Sequence, residues 1–215
     1  MAEESKSLSA QFASALEIHG ARYGVQLSDA EHTQLDRYYE IVMAWNKRLH
    51  LVAPCSPAEF ATRHVLESLL AVSHLPHGAE VCDVGSGAGL PLIPCLIVRP
   101  DVRATLIESS AKKAVFLREA LLRLERQRVA TVIAERFENT VSPQADFITC
   151  RALDRFTEKF AQLFEWSPPL STLLLFGSNN LREQIGKTSL AFTTIHIPDS
   201  TQRFLFVVRR AASNP

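Results

Sequence analysis

The chain contains no apolar run near the ~20 residues that a membrane-spanning helix needs. Its first twenty residues are polar and mixed in charge, with no apolar core of a signal peptide, so a cytoplasmic protein is expected. Cysteine is scarce: Cys55, Cys82, Cys95 and Cys150 show no CxxC spacing. Three of them lie in apolar segments, which reads as reduced core thiols rather than disulfides or metal ligands. Net charge is zero, with 23 Lys/Arg against 23 Asp/Glu. That argues against a broad electrostatic grip on nucleic acid. Acidic residues outnumber basic ones in residues 1–77, and the reverse holds in 78–215, which leaves room for a local basic patch. No internal repeat, low-complexity segment, His/Asp dyad or Ser/His dyad is evident. What remains is 215 residues at 47% hydrophobic and 21% charged, enough for one generous globular domain, expected as a monomer.

The stretch Ala79-Glu-Val-Cys-Asp-Val-Gly-Ser-Gly-Ala-Gly-Leu90 organises the rest. Val81, Cys82 and Val84 form an apolar run typical of a buried strand. Gly85, Gly87 and Gly89 follow at every second position, and residues 90–98 read as a helix packing back on the sheet. Glycine permits positive φ and lets backbone N–H groups approach a ligand with no Cβ in the way. Strand, glycine turn and helix N-terminus together make a nucleotide-type site. A second strand, residues 102–107, ends at Glu108, 21 residues beyond Gly87 and near the ~20-residue spacing of a ribose-binding acid. The glycines run G-x-G-x-G, where the dinucleotide fingerprint places its third glycine one position later, and Asp83 precedes them by two residues. This form resembles motif I of S-adenosylmethionine-dependent methyltransferases.

Residues 7–75 read as helices. Leu8 to Tyr23 has helical spacing and stops near Gly24. Ser28-Asp-Ala-Glu31 and Ser56-Pro-Ala-Glu59 are capping boxes opening helices to about Leu49 and Ser73. Residues 1–77 are thus a helical cap or a structural extension, and 78–215 the ligand-binding unit. From residue 79 strands and helices alternate, the pattern of a parallel α/β sheet. Strands are expected at 129–134, 146–150, 171–176, 191–197 and 203–208, the last two as a hairpin, with helices at 110–126 and 156–166. That makes seven strands, mostly parallel with an antiparallel last strand, the count of the Rossmann-like class I methyltransferase sheet.

Ligands of open α/β sheets bind beyond the carboxyl ends of the strands. Gly85, Glu108, Phe137, Glu138 and Arg151 all fall there. Phe137 is placed for an adenine ring or is a core aromatic, and Glu138 is a binding group or a turn cap. Arg151 could meet a carboxylate, a phosphate or a base, or form a surface ion pair. Lys112, Lys113, Arg118, Arg123, Arg126 and Arg128 form either an RNA-facing patch or a solvated helix face.

Those residues carry a resemblance to the RsmG family (glucose-inhibited division protein B), the bacterial 16S rRNA guanine-N7 methyltransferases. It runs from about Trp45 to Arg209. Its most specific pieces are Arg63-His-Val-Leu-Glu-Ser68, Asp83 to Pro91, Ile107-Glu-Ser109 with Lys112-Lys113 and Phe116-Leu117, Arg136-Phe-Glu138, and Arg151-Ala152. The resemblance implies a class I fold, S-adenosylmethionine as methyl donor and the small ribosomal subunit as partner. It implies cofactor contacts at Asp83, Gly85, Gly87, Leu90, Glu108, Phe137, Glu138 and Arg151, with His64, Arg63 and Arg151 at the reaction site. Phe176 stands where the family usually has a lysine, Leu92 where glycine is usual, and His50-Leu51-Val52 replaces Asn-Leu-Thr. A methyltransferase acting on a small molecule or protein, and a non-enzymatic cofactor- or RNA-binding factor, are the other readings.

Overall fold

Helix α1 (Ala2–Gly20) continues as a 3₁₀ turn over Ala21–Tyr23 and stops at Gly24, whose φ is 68°. The left-handed conformation there costs glycine little. This computed structural model describes residues 2–151 and 156–209; Ala152, part of one motif above, lies outside them. Helix α2 (Asp29–Leu49) opens with the full capping box: Ser28 Oγ accepts from the Glu31 amide and the Glu31 carboxylate from Ser28 N–H at 2.7 Å. Leu35, Tyr38, Ile41 and Val42 form its buried stripe.

The next segment departs from a plain helix. It is α-helical over α3 (Pro57–Glu59), π-helical over Phe60–Leu66, α-helical again over α4 (Glu67–Leu69), and 3₁₀ over Leu70–His74. Only half of the expected second capping box forms. Ser56 Oγ accepts from Glu59 N–H, while the Glu59 carboxylate turns to Arg63.

Strands β1 (Glu80–Val84), β2 (Arg103–Ile107), β3 (Ala130–Ile133), β4 (Phe147–Arg151), β5 (Thr172–Ser178), β6 (Ala191–His196) and β7 (Arg203–Arg209) form one sheet in the order β3-β2-β1-β4-β5-β7-β6. All are parallel except β7, which inserts antiparallel between β5 and β6. The connecting helices are α5 (Leu92–Val98), α6 (Ala111–Arg123) and α7 (Phe156–Trp166). Helix α8 (Asn179–Gly186), which the sequence pattern did not reveal, follows β5 and buries only Leu181 and Ile185. Its two apolar positions, four apart, give too thin a stripe to stand out from a loop.

Two apolar cores lie on the two faces of the sheet, and strand alternation assigns residues to them. Leu174, Phe176, Leu205 and Val207 join Val81 and Leu106 on the face covered by α1, α2, the π-helical segment, α5 and α6. Leu173, Leu175, Phe206 and Val208 join Cys82, Val84, Ile148 and Cys150 on the other face. The chain direction of strand order reverses between β1 and β4, which opens a crevice above their carboxyl ends.

Candidate functional site

A cavity of about 600 Å³ occupies that crevice, within the size range of small-ligand sites. Gly85, Gly87, Leu90, Glu108, Phe137, Glu138, His64 and Arg151 all line it. The glycine turn is built by backbone bonds: Gly85 and Ser86 N–H groups both donate to Ile107 O, at 2.9 and 3.1 Å. Gly85, Gly87 and Gly89 have φ of 75°, 52° and 86°. At Gly89 an added Cβ would lie 2.3 Å from Ile93 Cδ1, so this glycine lets α5 pack closely. At Gly87 the nearest atom would be the Gly85 carbonyl oxygen at 3.8 Å, so a side chain there would project into otherwise open space.

Glu108 is nearly buried. Its Oε2 accepts from Gly87 N–H at 2.8 Å and its Oε1 from Ser110 N–H at 2.7 Å. The carboxylate therefore ties the glycine turn to the start of α6. Each oxygen keeps a lone pair for a ribose hydroxyl, because a carboxylate can accept about four hydrogen bonds. An open glycine cradle with an anchored carboxylate opposite suits an adenosyl cofactor.

Asp83 and Arg63 are not among the lining groups. Asp83 is fully buried beneath the turn, where Thr149 Oγ1 donates to its Oδ1 at 2.7 Å and its Oδ2 has no hydrogen-bond partner among the described residues. Arg63 points to solvent and pairs with Glu59. Phe137 is 3% exposed and packs edge-on to Trp166 at 5.5 Å, so it is both a core aromatic and a cavity wall. Glu138 pairs with Lys159 at 2.5 Å. Burial pushes its pKa up, but the bonds from Lys159 and its own backbone prevail and hold it low. Lys159 lines the cavity and lies 5.7 Å from the Phe137 ring centroid, a placement that no sequence spacing announced.

Arg151 is the most heavily engaged group. Strand parity turns it, with Asp83, Thr149 and Phe176, toward the helical face of the sheet. Its guanidinium donates to the Arg63 carbonyl, to His64 O at 3.3 Å and to Ser68 Oγ at 3.2 Å, and pairs with Glu67 Oε2 at 3.2 Å. Phe176 lies beneath it, 5.8 Å from ring centroid to guanidinium carbon. Phe176 is itself 5% exposed, so a lysine there would press a second cation against Arg151 rather than reach the cavity. The imidazole of His64 packs on Phe60 at 5.1 Å. Burial, then the cations Arg151, Arg63 and Arg203, lower its pKa to about 3, so it is neutral at physiological pH.

The basic set divides. Lys113 lines the cavity with Arg136, and Lys112 is exposed beside it. Helix α6 then runs away from the site. Arg118 donates to Val132 O, Arg123 pairs with Glu119, and Arg126 reaches Leu96 O on α5. Arg118 and Arg126 thus bond to the fold, Arg123 forms a surface pair, and Arg128 is exposed beyond the helix.

A family model described as rRNA small subunit methyltransferase G (GidB) matches residues 31–205. The chain belongs to this family. Ribosomal RNA small subunit methyltransferase G of Xanthomonas axonopodis pv. citri is 37% identical over 181 residues, covering 81% of this chain and 84% of its own length. The protein of the same name from Gluconobacter oxydans is 40% identical over 144 residues, 67% of this chain and 71% of its own. Among solved structures, an RNA methyltransferase from Salinibacter ruber in complex with S-adenosyl-L-homocysteine superposes with a TM-score of 0.56 at 14% identity, covering 76% of this chain and 97% of its own. At that identity the likeness bears on the fold, which is class I. As a member of the GidB family the chain is a methyltransferase that uses S-adenosylmethionine, and the cavity described above fits that donor.

Proposed function

We propose that this chain methylates N7 of a guanine in the 16S rRNA of the small ribosomal subunit. Residues 1–77 would act as a helical cap on a methyltransferase unit over 78–215, in a monomer working in the cytoplasm. Of the readings open at the sequence level, the rRNA methyltransferase is the one that family membership supports. The observation that carries the choice of N7 is that, among the described cavity groups, His64, Glu108 and Glu138 are each unsuited to act as a base, while Glu135 is exposed at the cavity's edge. His64 has a pKa near 3, Glu108 is held by two amides, and Glu138 is paired with Lys159. N7 of guanine has a free lone pair and loses no proton on methylation, so it is a nucleophile that such a site can serve.

When bound, S-adenosylmethionine supplies an electrophilic methyl group. The protein's part is placement, which can account for several powers of ten in rate. Gly85 and Gly87 leave room along the turn, Glu108 offers lone pairs to the ribose hydroxyls, and Phe137 and Glu138 close the far wall of the cavity. His64 stands where the base would enter, and Lys112, Lys113 and Arg136 flank the mouth toward RNA phosphates. The guanine must leave its stack to be reached, which favours a loop or junction over a regular helix.

The test is transfer of radiolabelled methyl groups to small ribosomal subunits and to free 16S rRNA lacking the modification, followed by digestion to nucleosides. Label in 7-methylguanosine is the expected result. Label in another nucleoside, or in ribosomal protein, would overturn the reading.

A further inference from the structure

Two carbonyls of the π-helical turn receive donors from the sheet. Arg63 O and His64 O both receive Arg151, from the end of β4, and Ser68 Oγ also donates to His64 O. Glu67, 2% exposed, then contacts two guanidinium groups, Arg151 through Oε2 and Arg203 from the start of β7 through Oε1. Three elements that are remote in sequence thus meet at one buried carboxylate. The His64 ring sits at the edge of this cluster. Its Nδ1 lies 3.5 Å from an Arg151 guanidinium nitrogen. A guanidinium can only donate, so this contact favours Nδ1 as an acceptor and the ring proton on Nε2, although the same nitrogen also donates to Arg63 O and Glu67 Oε2. The only ring-nitrogen contact of His64 among the described residues is the one at Nδ1, and His64 is one of the residues lining the cavity.

We propose that Glu67, Arg151 and Arg203 are positioning residues that lock His64 in its Nε2–H tautomer, presenting one neutral donor to the incoming base and thereby selecting guanine. This rests on the guanine-N7 reading above. The edge that carries N7 also carries O6 in guanine, an acceptor, and N6 in adenine, a donor. With N7 reserved for the methyl group, a fixed Nε2–H can pair with O6 and meets only another donor on adenine. Neutrality matters as well. Methylation at N7 makes the base cationic, and an uncharged donor holds O6 without opposing that charge. Phe60 supports the ring from behind, and Phe60 also packs on Tyr38 at 6.2 Å.

Two measurements on the full chain test this separately. The first needs no RNA: long-range proton–nitrogen correlation spectra of imidazole-labelled protein with S-adenosylhomocysteine bound. The His64 proton is expected on Nε2 in the parent, and a mixture of tautomers in Glu67→Gln and Arg151→Met. A proton on Nδ1, or an imidazolium at neutral pH, overturns the lock. A Glu67→Gln spectrum identical to the parent's removes Glu67 from it. If Glu67→Gln fails to fold, the parent and Arg151→Met spectra still decide the tautomer. The second compares His64→Gln, whose amide N–H can stand near the place of Nε2–H, with His64→Asn, whose shorter amide falls nearer Nδ1. His64→Asn should lose roughly 10- to 100-fold in kcat/KM on small subunits, the cost of a missing hydrogen bond to a base, and His64→Gln clearly less. Equal losses overturn the base contact. Absence of 7-methylguanosine with the parent would instead defeat the guanine reading and leave the tautomer result standing.

Discussion

Glu108 and Asp83 are two carboxylates a few residues from the same glycine turn, and their surroundings give them opposite tasks. Glu108 accepts two backbone N–H groups and lines the cavity. Replacing it with alanine loses any ribose contact and releases the turn from α6. We expect Glu108→Ala to weaken S-adenosylhomocysteine binding by roughly 1–3 kcal/mol, read by calorimetry; unchanged affinity would place the ribose elsewhere. Asp83 is sealed under the turn, and burial raises its pKa from 3.8 to about 7 against the opposing pull of the Ser86 and Thr149 hydroxyls. Between those two values the folded chain keeps a proton that the unfolded chain has released. Stability must therefore fall as pH rises through that window, by up to about 1.4 kcal/mol per pH unit. Asp83→Asn keeps the acceptor for Thr149 and cannot ionise. Its melting temperature should change less than the parent's between pH 5 and 7 and stand above it at pH 8; parallel profiles would show that Asp83 does not titrate there.

At the scale of elements, the informative contacts join the N-terminal helices to the cofactor turn. Tyr38 is fully buried in α2, and its hydroxyl donates at 2.8 Å to the carbonyl of Ala88, between Gly87 and Gly89. Tyr38→Phe keeps the ring and its packing on Phe60 but strands that carbonyl. The expected cost is about 1–2 kcal/mol in unfolding free energy, together with weaker cofactor binding as the turn loosens. A loss of stability with binding intact would make the bond a packing detail only. None of this was legible in the sequence, where Tyr38 was one apolar position in a helical stripe. The boundaries of α2 were legible, because Ser28 and Glu31 cap each other locally and Gly24 ends the preceding turn. The π-helical stretch was not, since Phe60–Leu66 has ordinary helical composition and the carbonyls that receive Arg151 are matched to it only in the folded chain. Arg151 itself was found at a strand end, but which way it faced depended on register with Thr149 and Phe176. That parity sends it to the helical segment, where five acceptor atoms face its donors. Lys159 went unseen because only the fold carries it from α7 to Glu138.

For the whole molecule, the seven strands and the site at their carboxyl edge followed from hydrophobic alternation and three glycines, since these are repeated local signals that one sheet satisfies together. The insertion of β7 between β5 and β6 is a long-range choice with no local mark. Charge is the other property of the whole. Arg118 and Arg126 are drawn into hydrogen bonds with the fold, and Arg123 into a pair with Glu119. The net charge of the chain is zero. That leaves Lys112, Lys113 and Arg136 near the cavity as the cations placed to meet phosphate. Unstacked RNA loses about 0.7 counterions per phosphate contacted, so three such contacts predict a slope of roughly −2 for the logarithm of subunit affinity against that of salt concentration. Lys112→Gln should reduce the slope by about 0.7 and leave calorimetric binding of S-adenosylhomocysteine unchanged, because one phosphate contact is lost and Lys112 is exposed outside the cavity wall. A parent slope several times steeper would mean that the ribosomal subunit is held across a much wider surface than the mouth of this cavity.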